Sequence, residues 1–182
     1  MPHPKSVLIP LVNGFEEIET VTPADLLRRA GAQVVLAALS PTPEPATGRC
    51  GMTLLPDTTL DAVAARDFDL LFLPGGPGVK ALRSDPRIAT LAKAFHAQGK
   101  PVAAICAAPL VLLDAGLLEG RAHTAHFSAH AELTHARPDA VVEDDALITS
   151  RGAGTALPFG LALVRRLFGA EKEREISAQI MA

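Results

Sequence analysis

The stretch "KPVAAICAAPLVLLDAGLLEG", Lys100 to Gly120, sets Cys106 between a short apolar run ending at Ile105 and a longer one opening Ala107-Ala108-Pro109. A short run followed by a longer one bounded by glycine reads as a buried strand feeding a helix, with the cysteine on the turn between them. There a thiol gains exposure at the rim of a sheet and a helix N-terminus whose partial positive charge favours thiolate. Serine occupies the same kind of elbow in hydrolases, although their local pattern is G-x-S-x-G and this one is I-C-A-A. Packing is the competing reading, because free cysteine is among the most buried residue types.

Three further groups have the chemistry to join it. "LPGGPG" puts Gly75 and Gly76 directly after a buried run, where bare backbone N–H groups can serve as an oxyanion hole or simply make a turn. No Gly-Lys-Ser/Thr follows, and neither this loop nor "GAGTALPFG" completes a dinucleotide fingerprint, so nucleotide binding is not expected. "GFEEIET" offers Glu16, Glu17 and Glu19, as helix-capping carboxylates or, beside a thiol, as a proton shuttle whose pKa partial burial would raise. The helix there begins either near Glu16, with Pro23 inside it, or at Thr22-Pro23.

His123, His126, His130 and His135 crowd one region. The spacing of His126 and His130 would place both on one helical face, as zinc ligands require, but no cysteine or carboxylate completes a set and no metal is expected. Histidines in polar loops are usually solvated or titrating. His126 is expected to face the cysteine from a neighbouring strand end.

The elements that must position these residues follow from periodicity. Apolar runs at Ser6 to Val12, Ala32 to Leu39, Asp69 to Pro74 and Pro101 to Ile105 have strand length, and "ALITSRGAG" supplies a later strand. "ADLLRRAG", "DPRIATLAKAFHAQG" and "TALPFGLALVRRLFG" read as helices, the first two ending on Gly31 and Gly99 and the last carrying Pro158 early. Ser40 to Pro56 is rich in proline and glycine and reads as a loop or hairpin off the sheet. Strands alternating with helices imply crossover units and a mostly parallel sheet, with ligands bound beyond the carboxyl ends of the strands.

Composition narrows the classes. A chain of 182 residues suits one domain, residues 1–182, that buries roughly 70% of its unfolded surface. Hydrophobic residues make up 48% but aromatics only 4%, so the core is aliphatic, as in a buried parallel sheet. A net charge of −3 without a Lys/Arg block gives no footprint for nucleic acid. No apolar stretch reaches about 18 residues and no signal peptide is evident, so neither a membrane partner nor export is expected and the cytoplasm is the default compartment. Two cysteines, Cys50 and Cys106, in so large a domain read as free thiols.

Taken together, "NGFEEIET", "LPGG", "AAICAAP" and "TSRGAGTA" resemble the ThiJ/PfpI superfamily, in the branch of the parkinsonism-associated protein deglycase and its bacterial relatives. The match is collinear to about Leu167. The resemblance implies a flavodoxin-like α/β three-layer sandwich and a homodimer. It makes Cys106 the reactive cysteine, Glu19 the acid that hydrogen-bonds its sulfur and His126 the nearby histidine. Gly76 and Ala107 would supply oxyanion amides, Gly75 would line the pocket, and Arg29 and Arg49 would match basic residues lining it across the dimer. Relatives have a Ser-Arg pair before the next glycine, where "GRCG" puts Cys50. The protease-like branch has histidine directly after the nucleophile; here that residue is Ala107, which counts against a peptidase or amidase.

The activity so implied needs no cofactor. It is a glyoxalase or protein deglycase acting on small reactive carbonyls such as methylglyoxal or on early adducts in glycated protein. The alternative is a redox-responsive protective protein or chaperone that uses oxidation of Cys106.

Overall fold

The computed structural model describes residues 4–63 and 67–182. In chain order the first half comprises β1 (Ser6–Leu11), α1 (Glu17–Arg29), β2 (Gln33–Ala38), β3 (Ala46–Thr47), β4 (Thr53–Leu54), β5 (Thr58–Thr59), α2 (Leu60–Val63) and β6 (Leu70–Leu73). The second half comprises α3 (Val79–Ser84), α4 (Pro86–Ala97), β7 (Val102–Ile105), α5 (Pro109–Asp114), β8 (Val141–Asp144), β9 (Leu147–Ser150), α6 (Ala156–Phe168) and α7 (Ala170–Gln179).

Seven strands form one sheet in the order β5-β2-β1-β6-β7-β9-β8, parallel throughout except where β8 returns beside β9. Side chains alternate across it, as the twofold period of a strand demands. From β1, Val7, Ile9 and Leu11 join a core with α1, α6 and Ile176 of α7, whereas Leu8 joins the opposite core beneath α2 to α5. Phe72 and Phe159 meet edge to face at 5.5 Å in the first of these cores. The result is a three-layer flavodoxin-like sandwich, with both sheet faces covered and the polar loops driven to the strand ends.

The five expected strands and three expected helices are present. The Pro/Gly-rich segment is the β3–β4 hairpin, outside the main sheet. α1 starts at Glu17 with Pro23 inside it, so the earlier of the two possible starts holds. The helix after Cys106 ends at Asp114, short of Gly120. Gly116, at φ 69°, turns the chain, and the Leu117 amide closes on the Leu112 carbonyl. Among the described residues no helix is long and apolar enough to cross a membrane.

Candidate active site

Cys106 directly follows β7 and holds φ 66°, a left-handed conformation that costs an L-residue roughly 1–2 kcal/mol. The surroundings over-determine it. The Cys106 N–H donates to the Ser150 carbonyl at 2.9 Å, and the Cys106 carbonyl accepts from the His126 N–H at 2.9 Å. The sulfur is turned toward the backbone N–H groups of Gly76 and Ala107, and the residue is 8% exposed. The same turn that strains the backbone presents the thiol at the carboxyl end of the sheet.

The three glutamates divide the candidate roles among them. Glu16 is the N-cap of α1: its Oε2 accepts from the Glu19 N–H at 2.8 Å, and its own N–H donates to the Gly75 carbonyl at 3.1 Å. Glu17 accepts from the Cys50 N–H at 2.8 Å, holding the hairpin turn that carries Arg49. Burial pushes the Glu17 carboxyl up, but its own amide and those of Cys50 and Met52 outweigh it, leaving the group below its usual range. Only Glu19 faces the cysteine.

Glu19 is 2% exposed, and burial pushes its carboxyl up to about 7 despite contacts with the Cys106 thiol and the Ala153 amide. Its Oε2 is buried without an aligned hydrogen-bond donor. A proton on the carboxyl removes that orphaned charge and makes the acid a donor toward sulfur. Burial, with the nearby Glu19 charge, pushes the thiol up to about 12. Two anions side by side in so dry a site are disfavoured, so the pair keeps at least one proton through the physiological range, passing from two to one near pH 7.

Gly75 makes the approach possible. A Cβ there would collide with the Glu19 carboxylate and with the Cβ of Cys106. Gly152, beyond β9, performs a similar service: a Cβ on it would touch Glu19 Oε1 and His126 Cδ2 at 3.4 Å. Sequence reading treats Gly152 only as part of a turn; the contact that explains it is tertiary.

His126 lies beside Cys106 on the wall of a cavity of about 440 Å³, with Arg49, Gly76, Ala107 and Lys80. It arrives from a loop, where it caps a single 3-10 turn, Phe127–Ala129, with His130 at the other end. The two histidines therefore do not share a helical face, because four residues of so tight a turn diverge. The Ser128 N–H donates to His126 Nδ1 at 3.3 Å, leaving the ring proton on Nε2. Burial and the charge of Arg49 push the imidazole below its usual range. His123 is buried with Nδ1 on the Arg121 carbonyl, and His135 is exposed.

Arg49 lines this cavity from its own chain, so its place there does not depend on a partner. Arg29 does not reach the one in its own chain: it pairs with Asp25 at 2.6 Å in the last turn of α1, about 15 Å along the helix from Glu19. Cys50 is a free, exposed thiol beside Arg49, and Cys106 is also free. One wall has no sequence signature. Arg83 grips Asp114 at 2.7 Å and Glu132 at 2.8 Å, tying α3 to α5 and to the loop that carries His126.

An α/β sandwich with a cysteine on a strand-to-helix elbow, facing a protonatable acid across a bare glycine, defines a class of cysteine-centred proteins. The chain belongs to the DJ-1/PfpI family, whose model matches residues 5–166, and to its DJ-1-like branch. It is 38% identical to Protein dj-1beta of Drosophila melanogaster over 97% of each chain. The crystal structure of Drosophila melanogaster DJ-1beta superposes with a TM-score of 0.94 at 37% identity over 99% of each chain. The glutathione-independent glyoxalase DJR-1.2 of Caenorhabditis elegans is 38% identical over 94% of each.

Proposed function

We propose that the chain is a cysteine-dependent, cofactor-independent glyoxalase or deglycase acting on methylglyoxal-type dicarbonyls or their early adducts. The observation that carries this reading is the Glu19 carboxyl, pushed up to about 7 by burial and held against the Cys106 thiol. An acid poised there can both give and take a proton at neutral pH. A relative with glyoxalase in its name, matched over most of both chains, supports the same reaction class.

The steps balance without an added reductant or oxidant. Ionised Glu19 takes the Cys106 proton as the sulfur adds to the aldehyde carbon, and the carbonyl oxygen becomes an oxyanion held by the Gly76 and Ala107 amides and then protonated by Glu19. Glu19 removes the hydrogen from that carbon as a proton and returns it to the adjacent carbon, converting hemithioacetal to thioester. Water releases the hydroxy acid and restores the thiol. His126, neutral and proton-bearing at Nε2, lies beside the reacting carbons. Lactate formation from methylglyoxal tests the proposal: it should occur with the wild type and vanish in Cys106→Ala and Glu19→Gln. Methylglyoxal loss without lactate would be trapping by arginine and lysine.

A redox-responsive protective role is the second reading, favoured by one feature of the same pair. A protonated Glu19 and two amides aimed at sulfur would also stabilise a sulfinate. A 32% identical relative was solved as Toxoplasma gondii DJ-1, oxidized, at a TM-score of 0.91. Suppression of client aggregation that depends on peroxide and is lost in Cys106→Ser would establish that role.

Homodimerisation is part of the proposal. Ile18 and Val21 on α1, Leu157 on α6 and Met52 beside the hairpin are large exposed apolar side chains. α1 and α6 pack together, so these residues suit one self-complementary face, against which a partner's Arg29 would approach the pocket. Light scattering should give twice the chain mass, and Val21→Glu should reduce it to one. The two free thiols support a reducing compartment, the cytoplasm.

A further inference from the structure

His126, which lines the Cys106 cavity, also lines a second one of about 390 Å³. Arg137, Arg151, His130, Phe127 and Pro138 complete its wall, and no carboxylate lines it. Both arginines are placed by their backbones. The Arg137 N–H donates to the His123 carbonyl at 2.8 Å and its carbonyl accepts from Thr124 Oγ1 at 2.7 Å, while Arg151 directly follows β9.

The distribution of free arginines singles this cavity out. Arg28, Arg29, Arg83, Arg87, Arg121 and Arg165 each hold a carboxylate. Among the described residues Arg49, Arg137, Arg151, Arg166 and Arg174 form no ion pair, and three of those five line the two cavities that share His126. In a chain of net charge −3, Arg137 and Arg151 are exposed at the cavity mouth without an ion pair, Arg137 also lying within electrostatic reach of Asp144, and together they offer bidentate donors for an oxyanion. The Phe127 ring, 76% exposed and also lining the cavity, lies tilted 3.9 Å from the His126 ring, an apolar surface for a short carbon skeleton.

We propose that this cavity is a subsite for an anionic group, carboxylate or phosphate, on the carbonyl substrate, which would pass His126 with its reacting carbon at Cys106 and its anion on Arg137 and Arg151. This rests on the function proposed above and names a substrate class, anionic 2-oxoaldehydes and adducts bearing such a group, in preference to neutral methylglyoxal.

Two measurements test it. In Cys106→Ala protein, which cannot turn over, titration with inorganic phosphate and separately with succinate is followed through the histidine ring signals in NMR. At least one anion should shift His126 and His130 saturably. The shifts should be lost when Arg137→Ala and Arg151→Ala are added, and kept with Arg166→Ala and Arg174→Ala. In protein with Cys106 intact, kcat/KM for 4,5-dioxopentanoate or for hydroxypyruvaldehyde phosphate should exceed that for methylglyoxal at least tenfold. The preferred compound identifies the anion, and the ratio should fall toward one in the Arg137→Ala/Arg151→Ala protein. Absence of histidine shifts, shifts that survive loss of both arginines, or a ratio that ignores them would overturn the subsite. No turnover of any aldehyde, with the anion shifts intact, would sink the glyoxalase reading and leave the anion site standing.

Discussion

Glu19 meets Cys106 across the bare Cα of Gly75, in the space that any other residue at position 75 would fill. The Glu16 N–H on the Gly75 carbonyl, 3.1 Å, docks the start of α1 onto that glycine loop, so acid, thiol and glycine are fixed as one unit.

Gly75→Ala is therefore expected to act as an overpacking substitution at the reacting centre. It should lower stability by about 1–3 kcal/mol and kcat by at least about 100-fold. Denaturant unfolding and lactate assays on the same preparation check both; a variant of ordinary stability and activity would show that the acid and thiol need not touch.

Burial raises Glu19 from the ordinary 4.5 to about 7, so the folded protein holds this proton more tightly than the unfolded chain does. The associated stability is fully present below about pH 4.5, falls as pH rises toward 7, and is gone above it, a loss on the order of 3 kcal/mol. Glu19→Gln, which cannot ionise, should melt above the wild type at pH 8, and the gap should narrow at pH 5. Thermal scans at the two pH values read the difference.

The same titration should appear in kinetics. With the pair holding one proton in its active form, kcat/KM is expected to rise through about pH 7 and then level. Glu19→Gln should abolish the limb along with about 100-fold or more of the rate.

At Cys106 the backbone conformation and the thiol can be separated. Cys106→Gly and Cys106→Ala both remove the nucleophile, but only glycine relaxes φ 66°. The glycine variant should be more stable than the alanine variant by about 1 kcal/mol in urea unfolding.

Arg83 bridges Asp114 and Glu132, and its replacement by alanine leaves two carboxylates facing each other near the cavity. Arg83→Ala should cost about 1 kcal/mol at low ionic strength, less at about 1 M salt, and raise KM as the loop bearing His126 loosens. Salt-dependent melting with steady-state kinetics separates the two effects.

Much of this was legible in the chain itself. Aliphatic runs of strand length alternating with amphipathic segments specify a parallel sheet, because only burial on both faces rewards such runs. A cysteine between a strand and a Pro-started helix specifies an elbow, and the glycine pair specifies a loop free of side chains. Short edges escaped: β5 has two residues, the half-exposed β8 carries too little periodicity to register, and α7 buries little beyond Ile176. The four collinear motifs were enough to place the chain in its family. Family resemblance pointed to Glu19, but residue chemistry alone could not choose among Glu16, Glu17 and Glu19, which are alike and differ in what the start of α1 packs against. The Arg83 clamp and the ring of free arginines about His126 likewise join residues far apart in sequence. Local sequence sets conformation and polarity through interactions of a few residues, whereas proximity, desolvation and the pKa values they produce belong to the packed sheet.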